Sequence, residues 1–219
     1  MTRHLRIDCK GTDAVLRKFD NLKRGRLTRE QKERSNELEQ LLNLKHIFDL
    51  YPDFKSYDNN EPLRLQALEE YCQDFWLETL RCYIDGSFPA SIAMASFTME
   101  ASLKHRLINR SPNTSARRDL KALIGYCQSS KIKILPGDNE NSINKAAQSV
   151  LDARDNIVHA NFPIYEPEKV IYSEGTEHNI IGTGSIIFIE HFKNLAKDTI
   201  LNTKQVVDYL QNLQLEVLI

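Results

Sequence analysis

Residues Ile143 to Phe162 read INKAAQSVLDARDNIVHANF, and the register of this stretch decides how the rest of the chain is understood. Ile143, Ala147, Val150, Leu151, Ile157 and Val158 recur at helical spacing, which predicts an amphipathic helix with one apolar stripe. Arg154 falls on that stripe, four residues after Val150 and three before Ile157. A guanidinium keeps its proton under almost any burial. It must therefore find a carboxylate, backbone carbonyls or an anionic ligand there, or reach along its stem to water. His159 follows, and five steps of about 100° set the two side chains roughly 140° apart. They converge if the helix frays near His159, which Asn161 and Pro163 favour, or if each meets its counterpart from a second copy of the chain. Asp155 precedes His159 by four residues on one ridge, where its carboxylate could hold the imidazole.

Outward from this stretch the pattern is mostly helical. Pro136-Gly137-Asp138-Asn139 is a turn, with Asn141 or Ser142 as the helix cap. Before it lies a helix from Ser115 to Gln128, with Leu120, Leu123, Ile124 and Cys127 facing in. The stretch Ala90 to Ile108, opened by Pro89, is apolar on most faces and rich in small residues, which predicts the central member of a bundle. Glu100 interrupts it, and a buried carboxylate needs a partner, so Glu100 is expected to meet Arg154 across the bundle. That pair could be purely structural or could orient the arginine for function. A further helix runs from about Leu63 to Asp85, stopped by Gly86.

On the C-terminal side, Lys169 to Tyr172 and Ile180 to Ile189 are rich in β-branched and aromatic residues around a turn containing Gly, Glu and Asn. They predict a β-hairpin at about 169–190, beside the end of the Arg154 helix. A last helix from His191 to about Leu218 closes the bundle. At the other end, Thr28 and Gln31 form a capping box that opens a helix towards Asp49. The fold class expected is mainly all-α: residues 1–60 as an N-terminal helical appendage, and 61–219 as an antiparallel helical bundle carrying the hairpin.

The composition is that of a globular protein: 41% hydrophobic, with a formal net charge of −1. Near-neutral charge confines any RNA-binding surface to a local patch. The excess of positive charge from Arg17 to Arg34, with Lys23, Arg24, Arg26 and Arg29 at its centre, reads either as phosphate contacts or as a solvated helix face and linker. Cys9, Cys72, Cys82 and Cys127 are scattered without a C-x-x-C pair, which points away from zinc and disulfides and towards buried thiols in a reducing compartment. No apolar run has the length of a signal sequence or a membrane span, so a cytoplasmic protein without a membrane partner is expected.

The run Arg154-Asp155-Asn156-Ile157-Val158-His159 resembles the HEPN superfamily motif: an arginine, a polar residue directly after it, variable residues and a histidine. Glu100 in the small-residue-rich segment Ala95 to Ala101 is similar to the second helix of stand-alone bacterial members. The resemblance covers Leu63 to Phe162 and takes in the last helix. It implies a HEPN-like helical bundle that acts as a homodimer, and a metal-independent endoribonuclease without cofactor. His159 would be the acid/base, Arg154 the phosphate ligand, and Asp155, Asn156 and Glu100 supporting groups. It further implies a toxin or phage-defence effector, with RNA as substrate and an antitoxin or regulatory protein as partner. The chemistry suits the residues: histidine titrates near working pH, and an arginine fork matches two phosphate oxygens. The alternative is a catalytically inactive module of the same type that dimerises or binds nucleotide, RNA or protein. A third reading makes Glu100, Arg154 and His159 a satisfied core network.

Overall fold

A computed structural model describes residues 27–42, 62–110, 119–138, 140–159 and 179–213. Among the described residues there are six helices and no strand: α1 (Arg29–Leu41), α2 (Pro62–Asp85), α3 (Phe88–Arg110), α4 (Leu120–Gln128), α5 (Ser142–Val158) and α6 (Asn179–Asn212). Among the described residues the mainly all-α class expected from the sequence is the one observed.

Helix α3 is central and touches α2, α4, α5 and α6. It is buried from Phe88 to Asn109 on almost every side, as its apolar periphery predicts. Its small residues admit close neighbours, and its hydroxyls are satisfied locally or across a helix pair. Thr98 Oγ1 donates to Met94 O at 2.9 Å and Ser102 Oγ to Thr98 O at 2.8 Å, while Ser91 Oγ donates across to Thr79 O of α2 at 2.8 Å. Against α3 runs the seam of α6, in which Phe192, Ala196, Thr199, Thr203, Val206 and Leu210 alternate by four and three residues and are all buried.

The core has two main clusters. One joins Met99, Leu103 and Leu107 of α3 to α4, to Ala147, Val150 and Leu151 of α5, and to Val206 and Leu210 of α6. The other joins Phe88 and Ile92 to Leu80 and Tyr83 of α2, Ala153 of α5, Phe192 and Ala196 of α6, and Leu38 of α1. The pairing of early and late halves makes α3 and α6 run in one direction, with α2 and α5 opposed to them.

Helix α1, the described part of the expected appendage, is packed into the second cluster through Leu38 and Leu42. Its start carries the capping box read from Thr28 and Gln31. It grips the end of α2. Arg34 Nε donates to Ile84 O at 2.6 Å, which places a cation at the negative end of the α2 dipole. Gln31 Nε2 donates to Asp85 Oδ1 at 3.0 Å. The Glu37 carboxylate accepts from Tyr83 Oη at 2.8 Å and pairs with Lys193 at 3.1 Å and with Lys197, tying α1 to both α2 and α6. Helix α2 stops in a Schellman turn: Gly86 sits at φ 82°, Gly86 N donates to Tyr83 O and Ser87 N to Cys82 O.

The structure corrects the hairpin. The second of its two strands, Ile180 to Ile189, lies within α6, which begins at Asn179 rather than His191. The first, Lys169 to Tyr172, lies outside the described residues. A short run of β-branched residues has no period that separates strand from buried helix, and here it continues the long α6 rod. No helix among the described residues is long and apolar enough to cross a membrane.

Burial alone would raise the Glu37 pKa, but the bonds from Lys197, Tyr83 and Lys193 outweigh it and hold the carboxyl below its ordinary 4.5. A carboxylate depressed in the folded state contributes stability that is fully present above its unfolded pKa and is lost as pH falls through the folded one. Denaturant titration of Glu37→Gln should therefore show a loss of about 2 kcal/mol near neutral pH. The wild-type and variant curves should converge as pH drops below 4.5. Gly86→Ala should cost about 1 kcal/mol in the same assay, because its left-handed φ strains any L side chain.

Candidate functional site

Helix α5 carries the residues of interest, and its start is fixed by side-chain amides. Asn141 caps it by accepting from Ile143 N at 2.9 Å. Asn144 Nδ2 donates to Pro136 O at 2.7 Å and to Asp138 O at 2.6 Å, which latches the preceding turn to the first turn of the helix. Ala146, Ala147, Val150, Leu151 and Ala153 are buried, as the apolar stripe predicts. Val158, assigned to that stripe, is 60% exposed, whereas Ile157 before it packs against the second cluster.

The helix ends at Val158, and His159 is its C-cap at φ −97°, ψ 5°, donating its backbone N–H to Asp155 O at 2.9 Å. His159 is exposed. Arg154 lies on the core-facing side yet keeps 24% of its side chain accessible, so it takes the route along its stem to water. Its Nη1 is 3.5 Å from Asp155 Oδ1. The Asp155 carboxylate is thus turned to the neighbouring guanidinium, and its link to His159 runs through the backbone rather than through the imidazole. Asn156 is exposed two residues before the helix end.

The expected Glu100–Arg154 pair is not formed. Glu100 Oε1 accepts from Lys104 Nζ at 2.5 Å, one turn along its own helix. A partner four residues away needs less ordering than one reached across a bundle, and Glu100 lies at the partly exposed rim of α3 where Lys104 can follow it. Of the basic residues, Lys23, Arg24 and Arg26 lie outside the described residues. Arg29 stands in solvent, 92% exposed, with its Nε on Glu33 Oε1 at 2.9 Å.

The polar face of α5 borders an open groove of about 520 Å3 that is also lined by Ala153, by Gln128 of α4 and by Leu195 of α6. Along it lie Asn144, Lys145, Gln148, Ser149, Asp152 and Asn156. Internal bonds hold this row in place: Gln148 Nε2 donates to Asp152 Oδ1 at 2.7 Å and Asn202 Nδ2 of α6 to Ser149 Oγ at 3.0 Å. Lys145, Asp152 and His159 are spaced by seven, so they share an azimuth to within about 20° per heptad. His159 therefore continues the groove's ridge, while Arg154 emerges from the other side of the rod. The signal for the groove was in the sequence, as amides and a carboxylate at 144, 148, 152 and 156, four residues apart.

Sequence reading also passed over a row between α2 and α3. His105 Nε2 is 3.4 Å from Glu69 Oε1, and Asn109 Nδ2 is 3.4 Å from His105 Nδ1. With His105 only 1% exposed, this imidazole is sealed from any polymer substrate. Cys72 is buried nearby, 3.4 Å from Ser102 Oγ, and desolvation pushes its thiol up to about 12. Among the described residues no group of three or more His, Cys, Asp or Glu is placed to hold a metal ion.

Comparison with known proteins finds no matching family model, no matching curated protein and no matching solved structure.

A thiol held protonated by burial does not react. Cys72 and Cys127 should resist iodoacetamide at mildly alkaline pH in the native protein and label fully in denaturant, as read by mass spectrometry of the peptides. Rapid native labelling of Cys72 would contradict its burial.

Proposed function

We propose that this chain is a metal-independent endoribonuclease that works as a homodimer with a composite Arg/His site. The observation that carries the reading is the solvent-open position of His159 at the end of α5, one and a half turns beyond an accessible Arg154 on the same rod. An RNA phosphodiester breaks when its 2′-hydroxyl attacks the adjacent phosphorus. The hydroxyl proton goes to a base, the 5′-oxygen leaves with a proton from an acid, and a 2′,3′-cyclic phosphate remains. His159 serves as base or acid in this scheme, and Arg154 neutralises the charge that builds on the phosphorane.

One subunit supplies half of what the reaction needs, because base and acid are two groups and the rod sets Arg154 and His159 on different sides. A second copy related by a twofold axis supplies the other half. Asp155 holds Arg154 at the helix end, and Asn156 offers an amide beside the reacting groups. The biological role proposed is that of an RNase toxin or phage-defence effector restrained by an antitoxin or regulatory protein.

Purified protein incubated with mixed RNA in EDTA should release fragments ending in 2′,3′-cyclic phosphate. His159→Ala should slow this by about 10²–10⁴-fold, and Arg154→Ala by about 10²–10³-fold. Undiminished cleavage by His159→Ala would reject the mechanism. No cleavage by a stable wild-type dimer would favour the catalytically inactive binding module.

A further inference from the structure

The groove along α5 has a chemistry of its own. A site that only neutralised a phosphate backbone would be lined with lysine and arginine. This one has a single cation, Lys145, itself paired with Glu140 at 2.6 Å, among Gln128, Gln148, Ser149, Asp152 and Asn156, with Ala153 and Leu195 beside them, while the amide of Asn144 is spent on backbone carbonyls. Side-chain amides carry donor and acceptor together, in the spacing that matches the edge of an adenine, and a carboxylate accepts from exocyclic amines and ring N–H groups. The row is also preset. The bond from Gln148 to Asp152 uses the Gln148 N–H and leaves its carbonyl oxygen as an acceptor, and Asn202 fixes the Ser149 hydroxyl.

Length and direction agree with this chemistry. From Lys145 to Asn156 the wall spans about 16 Å, roughly five stacked nucleotides at about 3.4 Å each. Its volume, about 520 Å3, lies within the range of sites that enclose small ligands. Its ridge runs on through Asp152 to His159, so a strand lying in it arrives at the imidazole.

We infer that the α5 groove reads the bases of a single-stranded RNA segment next to the scissile phosphate, with Gln148 and Asp152 as specificity-determining residues. The inference rests on the ribonuclease reading for its account of where the strand leads. Single-stranded RNA is the form selected, because unstacked bases expose the edges that a narrow duplex groove withholds. Base contacts in the groove set which sequence is cut. Arg154 and His159 set whether it is cut.

The test separates binding from cleavage by using His159→Ala, which keeps the groove and loses the acid/base. Fluorescence anisotropy with labelled hexamers of A, C and U should show that His159→Ala prefers one homopolymer. Adding Gln148→Ala should lower affinity for that preferred hexamer by about tenfold and leave the others within about twofold. Adding Asp152→Asn should change the order of preference, because it replaces an acceptor by a donor, which loss of packing alone would not do. Equal binding of all three hexamers, unaltered order in both variants, or no binding to any of them would overturn the inference, even if wild-type protein cleaves RNA. A preference that both variants disturb would sustain it even if the wild-type protein cleaves nothing, and in that case the nuclease reading would fall alone.

Discussion

A helix buried on nearly all sides must answer for every polar atom it carries, and α3 is where this constraint is sharpest. An unpaired hydroxyl inside the bundle costs about 1–3 kcal/mol. The sequence nevertheless places Ser91, Ser96, Thr98 and Ser102 there, because only small side chains let four neighbours approach one rod. The conflict is resolved within the backbone. Ser96, Thr98 and Ser102 donate back to carbonyls of their own helix, Ser91 donates to α2, and Thr203 of α6 donates to Ala95 O. Small volume and local hydrogen bonding are thus one solution to two demands, and the positions of α2, α5 and α6 follow from it.

The two ends of the molecule are held by different means. Around the second half of α3 the packing is mostly hydrocarbon, with α4 and the buried Ile132, Ile134 and Leu135 of the following turn filling the space beside α5. Around its first half, α1 is attached by Leu38 and by a polar set in which Glu37 reaches both α2 and α6. Ala153 and Ile157 of α5 pack against this second cluster. The end of α5 that carries Arg154 and His159 therefore depends on the docking of α1, and residues read as an appendage belong, where described, to the surroundings of the candidate site.

What the sequence made legible was governed by period. The helices α2 to α5 and the central place of α3 follow from apolar residues recurring every three to four positions, and caps such as Thr28, Asn141 and Gly86 mark real ends. Two inferences failed where pattern gives way to competition. The run from Ile180 to Ile189 has strand propensity, but propensity of about 1 kcal/mol or less is overridden when a long helix can simply extend. Glu100 and Arg154 both sit on inward stripes, yet Glu100 has a lysine one turn away on its own rod and pairs with that instead. Stripes report which side faces inward; they do not report which rim positions still reach water. The groove is hidden in the sequence for a related reason, since an amide row on a helix reads as ordinary solvated surface unless a second helix lies beside it.

The amphipathic character of α5 bears directly on the proposed chemistry. An arginine and a histidine five residues apart cannot both face the same side of a regular helix, and α5 stays regular until His159 itself. The arginine is thereby tied to the packed side, where hydrocarbon and the Asp155 carboxylate limit its motion. The histidine sits where helical restraint ends, on the ridge of a polar groove. Electrostatic stabilisation is most effective from a charge that does not have to reorganise, whereas a proton carrier must reach both an attacking and a departing oxygen. The rod gives the fixed position to the permanent charge and the open position to the titratable ring. That same separation leaves a single subunit unable to put both groups on one phosphate unless backbone or partner brings them together. Dimerisation is for this reason an integral part of the proposed mechanism, since the helix geometry that divides the two roles also creates the need for a second copy.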